Sequence, residues 1–124
     1  MQTYEEMVKI GRKYYADAGF CSVIALASVA DISFGKARAI MAKQGRKERQ
    51  GALLPWITKA VESRNLKCTA IPVQSKTMKT ITRELSQGKY LVFVRGHVAA
   101  VVDGVINDWT EGRAHRIVRV YKID

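Results

Sequence analysis

His97-Val98-Ala99-Ala100-Val101-Val102-Asp103-Gly104-Val105-Ile106-Asn107-Asp108-Trp109 is the stretch on which the reading of the chain turns. Two apolar, β-rich runs are separated only by Asp103-Gly104, a dipeptide that favours the two-residue type I′ turn because both central residues take positive φ. Counting outward from the turn predicts that Val102 faces Val105, Val101 faces Ile106, Ala99 faces Asp108 and His97 faces Thr110. Alternate residues of a strand share one side of the sheet, so His97 and Asp108 fall on one face as diagonal neighbours, and Asn107 points the other way. By the same parity Trp109 is directed to the face opposite Asp108, where packing under the sheet is its expected role.

Upstream, Cys21-Ser22-Val23-Ile24-Ala25-Leu26-Ala27-Ser28-Val29-Ala30 is a run of small and apolar residues suited to a buried helix, after a break over Ala16-Asp17-Ala18-Gly19-Phe20. Cys21 then occupies the first turn, where unpaired backbone amides and the positive end of the helix dipole favour a thiolate. Free cysteine is also among the most buried residue types, so the thiol alone says little. A thiol, an imidazole and a carboxylate brought together are the parts of a cysteine nucleophile site, and Cys21, His97 and Asp108 are the candidate catalytic residues. Cys68 sits in an apolar strand and is read as packing. His115, in a basic context, is read as a surface residue. Two cysteines and two histidines include no close-spaced ligand pair, so neither a metal nor a cofactor is expected.

The remaining pattern predicts an α+β domain with helices first and strands later. Tyr4 to Tyr14 has helical spacing, Ser33 caps a helix over Phe34 to Gln44 that Gly45 ends, and Leu53 to Val61 is a further helix with Pro55 in its first turn. A short strand covers Lys67 to Val73, and a helix opens at Ser75 or Thr77 and runs through Leu85. Tyr90-Leu91-Val92-Phe93-Val94 is a near-continuous apolar run expected of a central strand covered on both faces. A last strand spans His115 to Ile123. With 124 residues the chain fits one domain, residues 1–124.

The order Phe20-Cys21-Ser22-Val23-Ile24-Ala25-Leu26-Ala27, a helical middle with a glycine-rich basic loop, Gly88-Lys89-Tyr90-Leu91-Val92-Phe93-Val94-Arg95-Gly96-His97-Val98, and Val102-Asp103-Gly104-Val105-Ile106-Asn107-Asp108-Trp109 resembles small papain-like cysteine peptidase domains. The resemblance is to compact phage-encoded members and, more distantly, to bacteriocin-leader peptidases, and it spans roughly Ala16 to Tyr121. It implies N-terminal helices packed on a C-terminal antiparallel sheet, with Cys21 as nucleophile, His97 as base and Asp108 as orienting carboxylate. A peptide or protein is the substrate it implies, cleaved at a peptide or isopeptide bond. Leader peptidases hold the oxyanion with a glutamine ahead of the cysteine; Arg12 to Phe20 contains none, and Tyr14 and Asp17 are the polar side chains nearby, the latter only in its neutral form. The alternative is a catalytically silent papain-like fold that acts as a basic binding or host-inhibitory protein.

Composition bounds the partners. A formal charge of +10, from 21 basic and 11 acidic residues, points to an acidic partner. The densest basic stretch is Lys43-Gln44-Gly45-Arg46-Lys47-Glu48-Arg49, with Arg113, Arg116, Arg119 and Lys122 further on, and weak, sequence-indifferent nucleic-acid binding through loop 43–49 is expected of it. No apolar run is long enough to span a bilayer, so no membrane role is expected. Met1 to Met7 has no apolar h-region of the kind a secretory signal carries. The expected compartment is therefore a cytoplasm, that of a host cell for a phage product, in which a Cys21–Cys68 disulfide is disfavoured.

Overall fold

The computed structural model describes residues 2–124 and is α+β, with five α-helices and one five-stranded antiparallel sheet. The helices are α1 (Tyr4–Lys9), α2 (Cys21–Ala30), α3 (Phe34–Gln44), α4 (Leu54–Glu62) and α5 (Ile81–Glu84). The strands are β1 (Cys68–Ile71), β2 (Lys89–Val94), β3 (His97–Val102), β4 (Val105–Ile106) and β5 (Ile117–Ile123), in the order β1-β5-β2-β3-β4. β5, the latest strand in sequence, is thus inserted between β1 and β2.

Helix boundaries follow local chemistry. Thr3 and Glu6 form a capping box on α1. The helix runs on into a π-helical turn, Ile10–Tyr14, at which Gly11 is buried so tightly that a Cβ there would lie 2.9 Å from ring atoms of Phe20 and Phe34. Ser33 caps α3 through the Lys36 amide, and Gly45 ends it at φ 120°. α2 is buried from Ser22 to Val29, which suits the central element of the fold.

The sheet has a core on each side. Leu91, Phe93, Val98 and Ala100 pack with α1–α4 on one face, while Tyr90, Val92, Val94, Ala99, Val101 and Ile106 pack with Met78, Ile81 and Leu85 on the other. β2 is therefore central and covered on both faces, as its unbroken apolar run predicts.

Several elements are shorter than the sequence pattern predicts: β1 covers Cys68–Ile71 rather than Lys67 to Val73, β5 begins at Ile117 rather than His115, and two more are cut back for identifiable reasons. The helix expected from Ser75 or Thr77 is confined to Ile81–Glu84, because Thr77 bridges Arg116 and the Glu84 carboxylate is drawn back onto the Gln74 and Ser75 amides. The returning strand of the hairpin pairs as predicted at Val102↔Val105 and Val101↔Ile106 but does not extend to Trp109. Asp108 ends it. Its carboxylate accepts from the Thr110 amide (3.1 Å) and hydroxyl (2.6 Å), and this local turn replaces further ladder bonds. No helix among the described residues is long and apolar enough to cross a membrane.

Candidate active site

Three segments converge on one cleft. α2 begins at Cys21 with no side chain capping it, β3 begins at His97, and the turn after β4 carries Asp108. A cleft of about 370 Å³ is lined by Cys21, His97 and Asp108 together with Tyr4, Arg12 and Trp109. A second depression of about 190 Å³ shares Cys21, Gly51, Gly96 and His97 with it and is walled by Leu54, Ile57, Phe93 and Val98. The thiol and imidazole thus stand between a hollow of mixed lining and an apolar one.

His97 Nε2 lies 2.7 Å from Asp108 Oδ2, and the carboxylate is almost fully buried. That leaves Nδ1 as the ring nitrogen for the thiol. Burial opposes ionisation of Cys21, but a hydrogen bond with His97, another from the Val98 amide and the imidazolium charge outweigh it and lower the thiol's pKa. Burial likewise opposes the charge on His97, and the hydrogen bonds and charges of Asp108 and Cys21 overcome it, raising the imidazole to about 9. Each member of the pair thus favours the charged form of the other. Cys68 differs: burial and then Glu62 push its thiol up. Both cysteines are free thiols.

Asn107 points away from His97, as strand parity requires. Its Oδ1 accepts from the Tyr4 amide (2.9 Å) and its Nδ2 donates to Ser28 Oγ (2.9 Å), tying the start of α1 to α2 behind the cleft. Asp108 and Asn107 should therefore separate cleanly in an NMR titration of the His97 ring. Asp108→Ala is expected to move its midpoint from about 9 down toward the ordinary 6.5, and Asn107→Ala to leave it near the native value. The raised pKa also makes protonated His97 a stabilising group: its contribution is complete below about 6.5 and is lost as the pH rises through about 9.

Several sequence expectations are corrected here. Trp109 is not packed under the sheet; it is 44% exposed, with its ring 5.0 Å from that of His97, because the strand ends before it and parity no longer applies. His115 is not a free surface residue but lies half-buried, edge-on to Trp109 at 5.1 Å. Neither polar side chain considered for the oxyanion is in the cleft: Tyr14 is 79% exposed, and Asp17 is buried in an ion-pair cluster. Tyr15 packs on Phe34 beneath the Arg38 guanidinium.

That cluster also changes the reading of the basic loop. Asp17 accepts from Arg46 Nη1 and Nη2 (3.0 and 3.1 Å), Arg38 Nε (2.9 Å) and the backbone amides of Ala18 and Arg49 (2.8 and 2.6 Å). Burial alone would raise the Asp17 pKa, but Arg46 and the other donors hold it well below the usual carboxylate range. Arg46, counted among the basic residues of loop 43–49, is buried and committed to this clasp, leaving Lys43, Lys47 and Arg49 exposed. The clasp ties the segment before Cys21 to the loop that leads to Gly51, and both contribute to the lining of the cleft. Tyr4 and Arg12 are the cleft residues not singled out by the sequence. Only their approach through the first helix puts them there, and no spacing signal marks it.

Among the described residues no group of three His, Cys, Asp or Glu side chains is arranged to hold a metal. Comparison of the chain with protein-family models, curated proteins and solved structures gives no match.

Proposed function

We propose that the chain is a papain-like cysteine hydrolase that cleaves a peptide or isopeptide bond. One observation carries this reading: Cys21, at an uncapped helix start, lines the same cleft as His97, whose Nε2 is 2.7 Å from buried Asp108.

In the reaction, His97 Nδ1 takes the thiol proton and Cys21 Sγ adds to the carbonyl carbon, placing negative charge on the carbonyl oxygen. Amides of the first turn of α2, including that of Cys21, stabilise this oxyanion. The C–N bond then breaks, with the imidazolium giving its proton to the departing amine and leaving a thioester on Cys21. Water, deprotonated by His97, adds to the thioester; the acid is released and the thiol restored. Asp108 keeps the ring oriented and its charged form favoured throughout.

The test is differential labelling. Iodoacetamide at pH 6, followed by peptide mass spectrometry, should modify Cys21 well before Cys68, since the first thiol is lowered and the second raised. Slow labelling of both at similar rates would instead favour a catalytically silent papain-like fold whose basic surface recruits an acidic protein or nucleic acid.

A further inference from the structure

Among the described residues Tyr4 is the one phenol that lines the cleft of Cys21, His97 and Asp108. It is the first residue of α1, held from both sides. Thr3 and Glu6 close a capping box over that turn, and the Tyr4 amide donates to Asn107 Oδ1 (2.9 Å). Asn107 Nδ2 donates to Ser28 Oγ (2.9 Å), and Ser28 Oγ to the Ile24 carbonyl (2.8 Å). This chain of bonds sets Tyr4 against the helix that begins at Cys21 and against the turn that carries Asp108.

The Tyr4 ring is half-buried, and among the described residues its hydroxyl makes no hydrogen bond, although its amide does. Burial and then the charge of Asp108 raise its pKa, the charge on Cys21 acts in the same direction, and Arg12 opposes them. The phenol is therefore protonated at neutral pH and free to donate. Addition of a thiolate to a carbonyl places negative charge on the carbonyl oxygen, and a donor already in position, committed to no other partner and partly shielded from water, stabilises that charge most. The helix supplies one such donor: Ile24 is the first residue of α2 whose amide is paired along the helix, to the Phe20 carbonyl (3.1 Å), which leaves the Cys21 amide open. Arg12 also lines the cleft, but it is exposed and its charge is screened by water.

We propose that the Tyr4 hydroxyl is a catalytic donor to the oxyanion, a role that rests on the hydrolase reading of the site. As Cys21 Sγ bonds to the carbonyl carbon and the π pair moves onto oxygen, the phenol donates a hydrogen bond to that oxygen beside the Cys21 amide. It keeps its proton throughout.

The test compares two reactions of Cys21 in the full chain at pH 7. p-Nitrophenyl acetate acylates the thiol through a tetrahedral oxyanion. Iodoacetamide alkylates it by displacing iodide at a saturated carbon, with no oxyanion formed, and so reads only the thiolate and its access. Tyr4→Phe, which keeps the ring, should slow acylation about a hundredfold and change alkylation less than about twofold. Equal slowing of the two reactions would overturn the proposal, because Tyr4 would then act through the thiol or its packing. So would an acylation rate larger in loss on Arg12→Gln than on Tyr4→Phe, which would give the oxyanion to the guanidinium. Failure of the unsubstituted chain to be acylated at Cys21 would remove the hydrolase reading and this role with it, whereas acylation at Cys21 that is indifferent to Tyr4→Phe would remove this role alone.

Discussion

His97→Ala is expected to slow acylation of the chain by p-nitrophenyl acetate at pH 7 by about a thousandfold, followed as release of p-nitrophenolate. In the proposed reaction the imidazole does two things. It takes the thiol proton, and its charge, held by Asp108, keeps the thiol's pKa low against the opposing effect of burial. Removing it leaves a half-buried thiol without its base and Asp108 with only the Thr110 amide and hydroxyl, so the thiol's pKa should rise. Raising the pH should recover much of the loss in the variant, because hydroxide can then do what the ring did. A variant that is acylated at the native rate at pH 7 would mean that His97 does not act on Cys21.

The largest effect on stability is expected from Asp17→Ala, at about 3–5 kcal/mol in denaturant unfolding, the cost of stranding a buried cation. Asp17 and Arg46 are both buried, and without the carboxylate the guanidinium keeps only the Ala18 carbonyl (3.1 Å) as a partner. Arg46→Ala should cost a similar amount. The double substitution should cost less than the sum, since each single change already leaves its partner uncompensated. The pH dependence has a definite sign: a carboxylate held below its usual value of 3.8 stabilises the fold fully above about pH 4, and this contribution drains away as the pH falls below that. Asp17→Asn should flatten the acid side of the stability profile. A loss under about 1 kcal/mol for Asp17→Ala would show that the clasp is dispensable.

How far the sequence was legible depends on the range of the interaction. The Asp103-Gly104 turn specifies its own register, and Val102↔Val105 and Val101↔Ile106 follow from counting. His97 and Asp108 meet as that register suggests, yet the ladder does not carry Asp108; Thr110 turns the chain there, and a parity rule cannot see a side chain competing for the backbone. Trp109 was misdirected for the same reason. Arg46 was unreadable as a buried ion because its partner lies 29 positions away, and a basic stretch looks alike whether solvated or clasped. The apolar run Tyr90–Val94 announces a central strand, but nothing in a linear pattern says that β5 rather than β1 will lie beside it.

That insertion of β5 governs how the molecule can form. The two neighbours of β5 lie well apart in sequence, and each has a bare edge until β5 slots between them. The β2–β3 hairpin is local and closes quickly; the five-stranded sheet waits on a long loop closure and is correspondingly slow. During that wait the apolar edge of β2 is open to any other chain with a strand to offer, so dimerisation by exchange of β5 is the misfolding route this topology makes available.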